Sequence, residues 1–202
     1  MPRFQRRRQK MRVLGICCSP RKGGNTEILV REALGAAREA GCETELILIA
    51  EKDIAPCDGC GSCLTTGTCK IKDDMQQVYD ELERADGIIL GTPVYFINVS
   101  AQAKAVIDRT YAFLYSRKLR GKVAAAIVAS RRVGVGQVLS LLYSFFNVHR
   151  MVIAGGGAGY GAEKGEVKDG VGIGPGSTAL GEAKAVGKSV VRLAQQLARG
   201  KN

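Results

Sequence analysis

The chain contains no tryptophan and a single histidine, and aromatic residues make up only 5% of its 202 residues. With so few aromatic side chains, the stacking platforms of single-strand nucleic acid binders are scarce. With one histidine, His149, and no G-x-S-x-G motif, a hydrolase built on a Ser-His-Asp triad has little support, and we expect His149 to be structural. No apolar run approaches the roughly 18 residues that a membrane span needs.

Cysteine is too sparse for a disulfide scaffold. Seven cysteines form an odd set, and no signal peptide precedes them, so we expect reduced or metal-bound thiols and a cytoplasmic protein. Cys17, Cys18 and Cys42 follow apolar or helix-ending positions, and we expect them to be buried as small hydrophobic residues.

Acidic residues are absent from residues 1–10, which carry five of the positive charges. Without this segment the net charge falls from +11 to +6, so the overall charge does not favour a nucleic acid partner. We expect residues 1–10 to be a disordered basic arm, residues upstream of a start at Met11, or residues added for expression. Residues 11–202 have the length of one domain.

Apolar strand patterns alternate with helical patterns along residues 11–202. Such alternation predicts an α/β fold with a doubly wound, five-stranded parallel sheet and helices on both faces. The predicted strands are Met11–Cys17, Thr44–Ile49, Gly87–Leu90, Val123–Ala129 and Arg150–Ala154. The predicted helices are Asn25–Ala40, Asp73 or Asp74 to Arg84, Ser100–Tyr115, Gln137–Phe146 and Thr178–Ala198. The first of them is predicted to be capped by Asn25 or Thr26 and ended by Gly41.

A ligand of such a sheet lies beyond the carboxyl ends of its strands, where the winding reverses. The loops after the first, third and fourth predicted strands therefore matter most. Ten of the 22 residues from 155 to 176 are glycine, which predicts a surface lid or a flexible linker.

Residues 18–26, Cys-Ser-Pro-Arg-Lys-Gly-Gly-Asn-Thr, join the first strand to a helix N-terminus. Free backbone amides and the helix dipole favour an anion there. The loop matches neither the dinucleotide fingerprint nor the P-loop, so a single phosphate, as in FMN, fits better; the alternative is a solvated turn with an Asn cap. The candidate phosphate ligands are Ser19, Arg21, Gly24, Asn25 and Thr26.

Four cysteines, Cys57, Cys60, Cys63 and Cys69, lie within 13 residues in the irregular segment 51–72. Spacings of two intervening residues between the first three match ferredoxin-type ligation of a [4Fe-4S] cluster, with Cys69 as a local fourth ligand. Structural zinc and unligated or redox-active thiols are the alternatives.

The phosphate loop resembles that of the flavodoxin-like, NAD(P)H-dependent FMN reductases. Residues 91–96 and 104–109 are similar to the second flavin loop of that family and the helix after it. This resemblance implies that Pro93, Val94, Tyr95, Phe96 and Asn98 lie along the flavin. It also implies that the third loop meets the cofactor at Ser130 and Arg131. Gly24 stands where members often carry serine, which puts one hydroxyl contact in doubt.

The complete cysteine motif before Asp73-Asp74-Met75 resembles, more narrowly, the iron-sulfur flavoproteins. That resemblance implies FMN and a [4Fe-4S] cluster close enough for electron transfer, in a homodimer or homotetramer. It implies electron transfer between a one-electron donor such as ferredoxin and a small-molecule, two-electron acceptor such as dioxygen or hydrogen peroxide.

Two other functions stay open: a cluster-free NAD(P)H-dependent FMN or quinone reductase, and a flavin-dependent redox sensor or binding module. No loop residue has the character of a dedicated acid or base, so the sequence predicts no catalytic side chain.

Overall fold

The computed structural model describes residues 10–167, 169–170 and 178–200. Six strands form one sheet in the order β2-β1-β3-β4-β5-β6, in which the first five strands are parallel and β6 is antiparallel to β5. The predicted five-stranded parallel sheet is confirmed, with a two-residue strand added at one edge. The strands are β1 Arg12–Cys17, β2 Glu43–Leu48, β3 Gly87–Pro93, β4 Val123–Ser130, β5 Val152–Tyr160 and β6 Asp169–Gly170.

Helices cover both faces of the sheet, as predicted. The helices are α1 Asn25–Glu39, α2 Ser62–Thr66, α3 Met75–Arg84, α4 Ala101–Arg109, α5 Tyr111–Leu114, α6 Val135–Val148 and α7 Ala179–Arg199, with a 3-10 turn at Ile49–Glu51. One apolar core lies between the sheet and α1 with α7, and the other lies beneath α3 to α6. All eight residues of β4 are buried, because both of its faces are covered.

Helix α6 extends two residues past each predicted end, from Val135 to Val148, and two further helices also differ from the prediction. Gly24, rather than Asn25 or Thr26, is the N-cap residue of α1, because the Asn25 side chain bonds elsewhere. The helix predicted from Ser100 to Tyr115 is interrupted at Thr110, whose hydroxyl donates to the Ile107 carbonyl at 2.6 Å. The predicted glycine stop of α1 is confirmed. Gly41 has a φ of +87°, and the residue after it, Cys42, donates its N–H to Ala37.

The glycine-rich segment is not a loop throughout. Residues 155–160 continue β5 well past the predicted end at Ala154. Glycine is required by close packing: a Cβ on Gly156 would lie 2.6 Å from the Tyr143 hydroxyl, and one on Gly159 would lie 2.8 Å from the Ala179 Cβ. Residues 161–167 form a turn, and residues 168 and 171–177 lie outside the described part, as do residues 1–9 of the predicted basic arm.

Candidate functional site

An open cleft lies beyond the carboxyl ends of β1, β3 and β4, where the winding of the sheet reverses. Its volume is about 280 Å³. Ten of the twelve predicted cofactor residues line it: Ser19, Arg21, Gly24, Asn25, Thr26, Pro93, Val94, Tyr95, Ser130 and Arg131. The structure thus brings three separate loops together at one site, whereas Phe96 and Asn98 are not among the lining residues.

The loop after β1 presents the N-terminus of α1 to this cleft. Ser19 is buried, and its hydroxyl accepts the Arg21 N–H at 3.1 Å, which folds the loop into a tight turn. The Glu27 carboxylate accepts the Gly23 N–H at 2.7 Å and the Arg31 guanidinium at 2.8 Å. Burial alone would raise the pKa of Glu27, but these hydrogen bonds outweigh it and hold the pKa below its usual value.

The Asn25 side chain connects this loop to a distant turn. Its amide donates to the carbonyls of Glu163 at 3.0 Å and Glu166 at 3.3 Å, and its oxygen accepts the Gly165 N–H at 2.7 Å. The turn therefore forms a further wall of the cleft, with Lys164 close to the phosphate loop. The sequence analysis missed Lys164, because the segment that carries it has no periodic pattern.

The loop after β3 ends in a tight hairpin. Tyr95 and Asn98 exchange both backbone hydrogen bonds, at 2.9 and 3.0 Å. Phe96 and Ile97, the two residues between them, have φ values of +49° and +60°, a region that bulky and β-branched side chains rarely adopt. The Phe96 ring is fully exposed, and the Asn98 amide oxygen accepts the Val99 N–H at 2.8 Å.

Buried hydroxyls fix the base of the first two loops. The Ser100 hydroxyl donates to the Cys18 carbonyl at 2.6 Å and accepts the Ala103 N–H, so it also caps α4. In the third loop the Ser130 hydroxyl donates to the Val133 carbonyl at 2.9 Å, and Arg131 is exposed. These hydrogen bonds, all made by serine hydroxyls, fix the three loops at the carboxyl ends of the strands.

A second cavity, of about 150 Å³, is lined by all four cysteines of the predicted cluster. The short helix α2 carries Cys63, and it is flanked by Gly61 and Gly67 at φ values of +73° and +71°. Those left-handed residues let the backbone wrap around the cavity at little cost. Cys57, Cys60, Cys63 and Cys69 are all free thiols.

The four cysteines of the motif share one cavity. Burial and the neighbouring cysteines raise the pKa of the Cys63 thiol. Among the described residues, no three His, Cys, Asp or Glu side chains converge as a single metal ion requires. Four cysteine thiols on one cavity are a donor set that a four-iron cluster takes, and structural zinc sites use the same donors.

Helix α4 separates the two sites. Its N-cap, Ser100, lies beneath the open cleft, where it bonds to Cys18. Its last residues, Asp108 and Arg109, line the cysteine cavity. Nine residues of helix span roughly 14 Å. The two cavities share no lining residue.

The remaining cysteines and the histidine behave as the sequence predicts. Cys17, Cys18 and Cys42 are buried, and burial raises the pKa of each thiol. His149 is buried with its Nε2 3.0 Å from the Thr110 hydroxyl, so it is a packed structural residue.

Comparison with known proteins agrees with this geometry. A family profile described as NADPH-dependent FMN reductase matches residues 11–164. The chain belongs to that family. An iron-sulfur flavoprotein of Methanocaldococcus jannaschii is 44% identical over 169 residues, which cover 79% of this chain and 88% of the relative. An iron-sulfur flavoprotein of Methanosarcina thermophila is 38% identical over 156 residues, covering 75% and 81%.

Solved structures support the same fold. The flavodoxin-like WrbA-like protein of Agrobacterium tumefaciens superposes with a TM-score of 0.62 at 19% identity, covering 93% of this chain and 99% of that one. The resemblance to iron-sulfur flavoproteins is confirmed, and the protein is a flavin-dependent oxidoreductase with a flavodoxin-like fold. Within the described residues, no helix is both long and apolar enough to cross a membrane.

Proposed function

We propose that this family member carries a [4Fe-4S] cluster beside FMN and passes electrons between a one-electron donor such as ferredoxin and a two-electron acceptor such as dioxygen or hydrogen peroxide. The observation that supports this proposal is the set of four cysteine thiols that line one cavity in a chain of the FMN reductase family. When bound, FMN exchanges electrons singly or in pairs and the cluster exchanges one, so together they can connect the two kinds of reactant.

In this proposal, the cleft holds FMN by its phosphate. The first amides of α1 have no partner within the helix, so they are available to donate to an anion, and the helix dipole adds to the attraction. Ser19, Arg21 and Thr26 supply further donors from the same loop, and Lys164 faces them across the cleft. The backbone from Pro93 to Tyr95 and the loop at Ser130 then border the flavin ring.

The cysteine loop contributes four thiols that line one cavity. Thiols must lose their protons to bind iron, so we expect cluster assembly to depend on pH. Cys63 and Cys69 are partly buried, whereas Cys57 and Cys60 are exposed to solvent.

A homodimer or homotetramer belongs to the same proposal. The two cavities of one chain share no lining residue, so an assembly in which a neighbour's flavin approaches the cysteine loop would offer electrons a second path. Tyr111 and Val148 line a cavity with Cys57 and are exposed, as is Tyr115 beside Tyr111, so they provide a surface of the kind that subunits cover.

The decisive measurement is the content of iron, acid-labile sulfide, zinc and FMN in protein purified without oxygen. We expect about four iron, four sulfide and one FMN per chain. The Cys57→Ser variant should lose iron and sulfide but keep FMN. Cys42→Ser, which changes a buried thiol outside the cavity, is the matched control and should keep both. FMN without iron after anaerobic reconstitution would contradict the cluster.

The second candidate is a cluster-free NAD(P)H-dependent FMN or quinone reductase. It is favoured by the independence of the cleft, which no residue of the cysteine loop lines. This candidate predicts fast NAD(P)H oxidation by protein that binds no iron, and unchanged turnover in Cys57→Ser. Slow oxidation of NAD(P)H beside fast reduction by ferredoxin would exclude it.

A further inference from the structure

One buried ion pair lies at the base of the cysteine loop. Arg109, the last residue of α4, has a fully buried side chain, and its guanidinium meets the Asp73 carboxylate in a bidentate pair at 2.7 and 2.9 Å. Burial raises the pKa of a carboxyl, but the hydrogen bonds from Arg109, Ala55 and Met75 outweigh it, so the pKa of Asp73 lies below its usual value. The pair therefore stays charged at neutral pH.

The pair also binds both ends of the loop. Arg109 donates to the Ala55 carbonyl at 2.8 Å and to the Ile71 carbonyl at 3.3 Å, while Asp73 accepts the Ala55 N–H at 2.9 Å. Ala55 stands two residues before the first cysteine of the motif, and Ile71 stands two residues after the last. A single guanidinium thus joins the entrance and the exit of the segment that carries all four thiols.

One donor of this guanidinium is left over. Arg109 lines the cysteine cavity, and its Nε is buried without a hydrogen-bond partner among the described residues; the neighbouring Tyr79 hydroxyl donates to the Arg109 carbonyl at 2.6 Å. A buried N–H of a charged group without an acceptor is destabilising. An acceptor that is absent from the protein chain and sits in the cavity would remove that destabilisation.

We propose that Arg109 is a positioning residue for the cysteine loop and that its Nε–H donates to a sulfur of the cluster in the cavity. The inference rests on the proposed function, because it assumes that the four thiols hold a cluster. A hydrogen bond to sulfur and a nearby positive charge stabilise the cluster after it accepts one electron, which raises its reduction potential. The closed ends of the loop slow the release of iron.

Arg109→Lys tests both roles. Lysine keeps the charge but loses the planar fork and the Nε donor, so it cannot make the same set of contacts. The release of iron to a chelator should be at least tenfold faster than in the wild type. In an anaerobic redox titration, the potential of the remaining cluster should fall by about 59 mV or more, equivalent to a tenfold change for one electron.

Asp73→Asn distinguishes the effect of the Arg109 donor on the potential from the effect of a weakened ion pair on the loop. Its iron release should also accelerate, because the pair is weakened. Its potential should not fall, since the Arg109 charge and Nε remain while a negative charge is removed. The FMN content of both variants should equal that of the wild type, and this measurement is the control for folding of the sheet.

The matched control is Arg12→Lys. Arg12 also has a buried Nε without a described partner and pairs with Glu81, but it lies outside the cavity, so neither quantity should change. Wild-type potential in Arg109→Lys, or an equal fall in Asp73→Asn, would overturn the inference.

Wild-type protein that takes up no iron overturns the proposed function and the sulfur bond together. The loop-closing role is then decided by alkylation of the thiols: it predicts faster modification of the partly buried Cys63 and Cys69 in Arg109→Lys than in the wild type, and equal rates would remove that role as well.

Discussion

At the scale of single residues, the titration of His149 makes the stability of the protein depend on pH. It is the only histidine of the chain, and burial lowers its pKa below the usual 6.5. The Thr110 hydroxyl already donates its one proton to Ile107, so the Nε2 of His149 carries the ring proton and donates to Thr110. The folded protein thus favours the neutral ring, whereas the unfolded chain binds a proton near pH 6.5.

We therefore expect the contribution of His149 to the free energy of unfolding to be complete above about pH 7. The free energy of unfolding should decrease as the pH falls below about 6.5, with a slope of up to about 1.4 kcal/mol per pH unit. Urea unfolding of the cofactor-free chain at several pH values between about 7.5 and 5.5 measures it. His149→Gln should remove the slope in this range, and a persistent slope in that variant would assign the effect to other groups.

Lys164 is the other residue whose role can be tested alone. Replacement by methionine keeps the length of the side chain but removes its charge from the cleft, so FMN should bind about fivefold more weakly, a loss of about 1 kcal/mol. Riboflavin, which has no phosphate, should bind as before. Lys22→Met is the control, because the Lys22 ammonium pairs with Glu51 at 3.0 Å. Flavin fluorescence quenching gives both affinities, and equal losses for FMN and riboflavin would contradict a phosphate contact.

Individual site residues differ in how far they could be predicted. Ser19, Arg21 and Thr26 follow from a local pattern, a buried strand that runs into a helix, and the structure places them on one cleft. The Asn25 amide bonds to a turn about 140 residues away, and the Arg109 guanidinium spans Ala55 and Ile71. Both contacts depend on long-range packing, which neighbouring sequence does not encode.

At the scale of elements, two helical glycines have opposite environments. A Cβ on Gly187 in α7 would lie 2.1 Å from the Ala33 carbonyl oxygen of α1, whereas one on Gly35 would have no atom within 4 Å. Gly187→Ala should lower the free energy of unfolding by about 2 kcal/mol or more, since the helix backbones must move apart. Gly35→Ala should raise it by roughly 0.5 to 1 kcal/mol through helix propensity.

Thermal and urea unfolding of the two alanine variants measure these changes. The two substitutions are the same and both lie in helix interiors, so each serves as the control for the other. Destabilisation by Gly35→Ala, or tolerance of Gly187→Ala, would show that the packing of α1 against α7 differs from that described.

The order of the five parallel strands and of the five longer helices was predictable, but the short helix α2, the strand β6 and the length of β5 were not. The predicted end of β5 at Ala154 came from the glycines that follow, since glycine usually weakens a strand. In the structure these glycines continue the strand because α6 and α7 approach it closely on both faces. The strained hairpin at Phe96 and Ile97 was equally hidden, because nothing in a bulky pair indicates positive φ.

At the scale of the whole molecule, charge should control the encounter with an electron donor. The net charge is +11, and it falls to +6 without residues 1–10. Reduction by an acidic ferredoxin should therefore slow as ionic strength rises, because salt screens attraction beyond about 10 Å at 0.1 M. A chain that starts at Met11 should show a shallower salt dependence. Stopped-flow kinetics measure it, and identical slopes for the two chains would exclude a role of the segment in steering.

The closure of the cysteine loop by one guanidinium also has a consequence for protein engineering. Since Arg109 bonds to both Ala55 and Ile71, the two ends of the loop lie within the reach of one side chain. We therefore expect that a linker of a few glycines in place of residues 56–70 would remove the cysteine cavity and leave the lining of the flavin cleft intact, because the two share no residue.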